Sequence, residues 1–180
     1  MQRNGIDVDL LRGTSDEFRD DPDTAAITIR TTHRWGGGFA VDGSTDEIEA
    51  GGERTRREFT FRTDWPPEIG GRDSGPSPGE AILGALGGCV AMTYIMNATL
   101  RGIEVSELEI TITGQVDLSG AFQLDDVRAG LSRVTVKVGV RSDAADDVLD
   151  DLGKTTERTS AVYETLANPV PMRLEVTRIP

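Results

Sequence analysis

Apolar and polar positions alternate in several runs along the chain, and one long run breaks the alternation. From Ala26 onward, Ile27, Ile29, Thr31, His33 and Trp35 fall on every second position, the spacing of a β-strand. Gly36-Gly37-Gly38 interrupts this run, and Phe39-Ala40-Val41 resumes it briefly. Thr55 to Arg62 alternates again, with Phe59 and Phe61 on one face and Arg56, Glu58, Thr60 and Arg62 on the other. Three antiparallel strands are expected here, followed by a loop rich in Pro and Gly over 64–76. Ser77-Pro78-Gly79-Glu80 reads as a helix start: Ser77 caps, Pro78 suits the first helical position, and Glu80 completes a capping box. Ala81 to Leu100 then runs for twenty residues without a charge, and Gly102 offers a stop.

Beyond this helix, Leu108, Ile110 and Ile112 alternate with polar residues, a strand continuing toward Leu118, and Val134, Val136, Val138 and Val140 mark another over 132–141. The period then changes. Ala144, Ala145, Val148, Leu149 and Leu152 share one face of a helix over 143–158, opposite Asp146, Asp147, Asp150 and Asp151, which read as a solvated face. A short helix over 160–167 ends at Asn168-Pro169, and Met172, Leu174 and Val176 suggest a closing strand. The predicted order is βββ-α-ββ-αα-β, an α+β class with antiparallel sheets. Residues 1–24 are polar and acidic and read as a loose N-terminal arm, leaving one domain over 25–180.

The uncharged helix, roughly 30 Å long, matches a bilayer core in length. Gly84, Gly87, Gly88, Thr93, Asn97 and Thr99 dilute its hydrophobicity, and no basic flank fixes an orientation. A helix buried on nearly all sides is the favoured reading. One small domain rarely encloses such a helix, whereas two copies packing their small-residue strips (Gly84 with Gly88, Gly87 with Ala91) can do so. An intertwined homodimer is therefore expected, without a membrane.

Composition narrows the chemistry. Nineteen basic residues against thirty-one acidic ones give a formal charge of −12, which disfavours nucleic acid as a partner. One cysteine, Cys89, excludes an internal disulfide, a CxxC pair and any cysteine-cluster metal site; one histidine, His33, removes histidine-based zinc sites. No metal or cofactor is expected. The opening residues lack the charged-then-apolar pattern of a leader, which points to the cytoplasm. A reactive Cys89 needs a depressed pKa, from a helix N-terminus or a nearby cation. Ser77 lies twelve residues earlier, on the order of 18 Å away, too far for the dipole of this helix to act. A functional Cys89 would thus need an arginine brought from elsewhere. The alternative is an inert buried cysteine.

The stretch from Gly75 to Thr93, with Ser77-Pro78-Gly79-Glu80 and Gly87-Gly88-Cys89, closely resembles the signature of the OsmC/Ohr family. Trp35-Gly36-Gly37-Gly38-Phe39, Arg101-Gly102-Ile103, Ser160 to Tyr163 and Asn168 to Pro171 resemble it too, in the right order over roughly 26–178. The resemblance implies an interlocked α+β homodimer with two central helices in its core, and thiol-dependent reduction of organic hydroperoxides. It implies a peroxidatic cysteine at Cys89 and a resolving position at Ser160, whose hydroxyl cannot form a disulfide. The family glutamate falls at Gly79, with Glu80 beside it and turned by about 100°. The family arginine has no counterpart in Gly36 to Phe39, although Arg30 and Arg34 are near. The expected function is a one-cysteine peroxidase in oxidative-stress defence, with Cys89 as nucleophile and an external thiol as reductant. The alternative is a non-catalytic relative holding a small hydrophobic ligand in an interface pocket. Glu80, Ser160, Arg34, Tyr94 and Met92 are the candidate neighbours of that pocket.

Overall fold

The computed structural model describes residues 1–124 and 126–179. The first twenty residues are folded rather than loose. Strands β1 (Gln2–Arg3) and β2 (Ile6–Asp7) form a hairpin whose turn residues, Asn4 and Gly5, both have positive φ, as a tight primed turn requires. Asp7 then caps helix α1 (Val8–Asp20) by accepting hydrogen bonds from the N–H groups of Asp9 and Leu10. Distant contacts give this polar segment its order. The Asn4 carboxamide donates to Thr99 Oγ1 (3.1 Å) and to the Ile103 carbonyl (2.9 Å), and accepts from the Val105 N–H (2.9 Å). A polar composition predicts an arm, but it does not count bonds made to chain a hundred residues away.

Strands β3 (Ile27–Trp35), β4 (Val41–Ala50), β5 (Glu53–Arg56) and β6 (Thr60–Thr63) form an antiparallel sheet with β4 at its centre. The sequence reading expected three strands here. Strand β4 runs well beyond Val41 because β3 on one side and β5 and β6 on the other satisfy its backbone, which overrides its polar composition. The expected strand over 55–62 is two strands. Between the pairs Glu47–Arg56 and Ser44–Thr60, three residues (57–59) face two (45–46), so one extra residue bulges the ladder. The Phe61 ring covers Gly43, where any side chain would collide with it.

Helix α2 (Pro78–Leu100) begins at the predicted capping box and ends at Gly102, whose φ of 76° lets the chain turn away. Strands β7 (Glu107–Gln115) and β8 (Arg133–Arg141) pair antiparallel, with helix α3 (Leu118–Ala121) between them. Helices α4 (Asp146–Thr159) and α5 (Ala161–Ala167) follow. The α+β class holds, as antiparallel sheets with one long helix among shorter ones. The closing strand does not form: Met172, Leu174 and Val176 lie outside any strand, with Leu174 90% exposed, because no edge of this chain pairs with them.

Helix α2 packs against β7, α4 and α5, and the main core joins its Tyr94 and Ala98 to Leu152 of α4, flanked by Ile103, Leu108, Val140 and Leu149. By length and composition α2 could cross a membrane, yet its contacts are those of a core helix. In the single chain this helix is not buried on all sides. Gly84, Ala85, Gly88 and Met92 are exposed, and no other part of the chain approaches Gly84 or Gly88. The whole chain exposes 13168 Å², against roughly 8,500 Å² for a compact monomer of 19.4 kDa.

Candidate active site

Cys89 sits halfway along α2, partly buried, where the chain passes from α4 to α5. Ser160 forms that passage: it ends α4, stands in the N-cap position of α5, and is fully buried. Its hydroxyl does not cap α5. It donates instead to Cys89 Sγ at 3.2 Å. Burial pushes the Cys89 thiol up, but the Ser160 hydroxyl, the Val162 N–H, the Thr93 hydroxyl and the Ala161 N–H all favour the thiolate. Their combined effect leaves the thiol below its ordinary value. The donors are thus two hydroxyls and two backbone amides, the amides belonging to the first residues of α5.

The α2 N-terminus is indeed too distant to act. Among the described residues no arginine acts on the sulfur; hydrogen-bond donors come to it from another element. Thr93 follows Cys89 by four residues, one helical turn, so its approach could have been read from spacing. The amides of Ala161 and Val162 carry no sequence signal, since any residue has an N–H.

The structure assigns the other predicted neighbours to different places. Glu80 accepts from the Ser77 N–H and hydroxyl, both at 2.7 Å, and these bonds hold its carboxylate below the usual range. It closes the capping box about 13 Å along the helix axis from Cys89, so it is not a partner of the sulfur in this chain. Arg34 is exposed on β3, beside a groove of about 430 Å³ shared with Asp42 and Arg62, and is not among the groups acting on Cys89. Tyr94 is a core residue whose hydroxyl donates to the Leu149 carbonyl at 3.3 Å. Met92 points away from the core, 69% exposed. Of the five, only Ser160 meets Cys89.

A cavity of about 990 Å³ opens along α2; its wall includes neighbours of Cys89 and Ser160 in the chain, but neither of these two residues. Leu86 and Val90, which bracket Cys89 along α2, line it, together with Val134, Val136 and Val138 of β8. Thr156 and Glu157 of α4 and Tyr163 of α5 bring it to either side of Ser160. A stacked pair, Phe39 and Trp65, with ring centroids 4.8 Å apart, stands where Trp65 joins the wall. The loop carrying Trp65 is held by Asp64. This buried carboxylate accepts from the Ser74 hydroxyl (2.7 Å) and from the N–H groups of Trp65, Arg72 and Ser74. Among the described residues no cluster of potential metal ligands occurs.

A thiol of lowered pKa is the reactive form of a cysteine, and a mostly apolar cavity of this size suits a ligand with an apolar body. Comparison with protein families gives a match over residues 71–175 to the model described as OsmC-like protein. Among solved structures, an OsmC-like protein from Mycoplasma pneumoniae matches with a TM-score of 0.59 at 15% identity, over 80% of this chain and 89% of its own. An organic hydroperoxide resistance protein from Elizabethkingia anophelis, with thiocyanate bound, matches with a TM-score of 0.54 at 14% identity, over 79% and 89%. One from Legionella pneumophila matches at 0.51 and 11%, over 77% and 88%. At these identities the structures establish a common fold. Comparison with curated protein sequences gives no match.

Proposed function

On the premise that the chain belongs to the family of OsmC-like proteins, we propose that it is a one-cysteine peroxidase for organic hydroperoxides. The observation that carries this reading is the Ser160 hydroxyl bonded to Cys89 Sγ at 3.2 Å, with a thiol poised toward its reactive, ionised form. The Cys89 thiolate attacks the terminal peroxide oxygen. A sulfur–oxygen bond forms, the O–O bond breaks, and the alcohol leaves once its oxygen gains a proton. Ser160 cannot resolve the resulting sulfenic acid, so an external thiol condenses with it, releasing water and forming a mixed disulfide. A second thiol then attacks this disulfide, releasing the oxidised reductant and restoring Cys89. The hydroperoxide resistance of the matched proteins from Elizabethkingia anophelis and Legionella pneumophila supports the choice of substrate class.

The working unit in this proposal is a homodimer in the cytoplasm. The chain carries roughly 4,700 Å² more surface than a compact monomer of its mass, more than the half-share that one partner contributes to a large obligate interface. The surplus is apolar where it matters: Ile27, Ile29 and Phe59 on the β3–β6 sheet, Met92 on α2, and Met172, Leu174 and Val176 near the C-terminus are all exposed. A second copy offers the matching apolar face and the strand edges that the closing segment lacks. A second reading, a non-catalytic carrier of a small hydrophobic ligand, is favoured by the size and lining of the cavity.

Turnover separates the two. With excess dithiothreitol, the protein is expected to consume many equivalents of cumene hydroperoxide, and the Cys89→Ala variant none above background. Ligand binding without peroxide consumption in the wild type would favour the carrier.

A further inference from the structure

Thr93, Asn97 and, at the C-cap, Arg101 follow Cys89 at intervals of four residues, so they continue the stripe of α2 surface on which the sulfur lies. The end of α4 faces this stripe. The Asn97 carboxamide donates to the Thr93 carbonyl (3.0 Å) and to Oγ1 of Thr159 (3.2 Å), the last residue of α4. Thr159 in turn donates its hydroxyl to the Thr155 carbonyl (2.8 Å), so the group that accepts from Asn97 is itself fixed in direction. One turn further along α2, Arg101 donates to Thr155 Oγ1 (2.7 Å) and pairs with Asp151 (2.5 Å). Ser160 comes directly after Thr159, with its N–H bonded to the Thr156 carbonyl (2.8 Å) and its hydroxyl on Cys89 Sγ at 3.2 Å. A ladder of polar bonds thus crosses the α2–α4 contact from Arg101 to Cys89.

The two helices also meet through Tyr94, Ala98 and Leu152, but apolar burial is non-directional and tolerates small slides and rotations. A hydrogen bond is less tolerant and weakens steeply as its angle closes. The Ser160–Cys89 contact therefore needs a directional tie close by. We propose that Asn97 is a positioning residue for the Cys89 thiol: its carboxamide holds the last residue of α4 against α2 and so keeps the Ser160 hydroxyl aimed at the sulfur. Asn97 takes this part rather than Arg101 because its bonds end on Thr159, beside Ser160, and on Thr93, whose hydroxyl also favours the thiolate. Arg101 reaches only Thr155 and Asp151, farther back along α4. The inference rests on the reading of Cys89 as the reactive thiol. The groups that act on the sulfur are all neutral. Between Glu80 and Arg101, α2 carries one other titratable side chain, Tyr94, whose hydroxyl is bonded to the Leu149 carbonyl. Near Ser160 in the chain, Glu157 accepts from Tyr163 and Arg158 donates to Thr155, and none of the three acts on Cys89.

A double-mutant cycle on the pH dependence of Cys89 alkylation by iodoacetamide, in the full-length protein, tests the proposal. Asn97→Ala is expected to move the midpoint upward and to slow alkylation at pH 7 by roughly threefold. This is less than the loss of the Ser160 hydroxyl itself, since the bond is loosened rather than removed. In the Ser160→Ala background the same substitution is expected to move the midpoint no further. A midpoint that Asn97→Ala leaves unmoved or lowers overturns the proposal, even if the melting temperature falls, because the role is then structural only. An equal further shift in the Ser160→Ala background overturns it too, since Asn97 would act on the sulfur by another route. If Asn97→Ala does not fold, Thr159→Val decides. It keeps the shape of an exposed side chain while removing the hydroxyl that accepts from Asn97. It is expected to give the same upward shift, again absent in the Ser160→Ala background, and an unmoved midpoint overturns the proposal equally. If the midpoints behave as expected while cumene hydroperoxide oxidises the wild-type thiol no faster than free cysteine, the positioning role stands and the peroxidase reading falls.

Discussion

Ser160 is where a single side chain decides the chemistry. A cysteine there could close a disulfide with Cys89; a serine can only hold the sulfur by a hydrogen bond. Two predictions follow from the 3.2 Å contact. Ser160→Ala removes a donor that favours the thiolate, so the thiol pKa rises and less thiolate remains at neutral pH. Alkylation by iodoacetamide, followed against pH, should show its midpoint moving upward, with the rate at pH 7 falling about tenfold, the size of one hydrogen bond to a charged group. An unmoved midpoint would mean that the backbone amides and Thr93 suffice. Ser160→Cys should gain what the native chain lacks. One equivalent of hydroperoxide should yield an internal disulfide, seen as a loss of 2 Da in intact mass, where the native protein gains oxygen. At this scale the sequence was partly readable. The segment around Cys89 marked the sulfur and pointed to Ser160, and Ser77 with Glu80 announced the cap. Tyr94 and Met92 were not separable, because α2 is apolar all round and periodicity cannot say which of its faces turns inward. The amides of Ala161 and Val162 reach Cys89 only through the tertiary fold.

Elements with a strong local pattern were legible, and those shaped by distant pairing were not. Helix α2, with its capping box and its Gly102 stop, runs over the predicted residues; so does β8 within a residue, while β7 ends at Gln115, three residues short of the expected Leu118. The β1–β2 hairpin was missed because its order comes from Asn4 bonding across to Thr99, Ile103 and Val105. The bulge between β5 and β6 was missed because a repeat of two cannot show an inserted residue until the partner strand is known. The closing strand was over-predicted for the opposite reason: the alternation of Met172, Leu174 and Val176 is present, but a ladder partner is not. One prediction belongs to the open face of α2. Among the described residues nothing lies within 4 Å of where a side chain at Gly88 would start, so in a monomer it meets solvent. Gly88→Leu would then stabilise the helix by about 1 kcal/mol. If α2 packs against its counterpart across Gly88, the same substitution should instead dissociate the dimer in analytical ultracentrifugation and lower the melting temperature.

The molecule as a whole combines two features: more surface than a compact monomer of its mass, and a thiol below its ordinary pKa on the helix that also walls an apolar cavity. The sequence pointed toward the first through an uncharged helix too long for one small domain, and toward the second through family resemblance rather than through physics. The charge of −12 disfavours nucleic acid and anionic membrane as partners. The most direct test is the second-order rate constant for loss of the Cys89 thiol at pH 7, with cumene hydroperoxide and with hydrogen peroxide, each set against free cysteine. The account predicts a rate far above that of free cysteine with cumene hydroperoxide, and a much smaller advantage with hydrogen peroxide. A thiol that both oxidants attack no faster than free cysteine would contradict it.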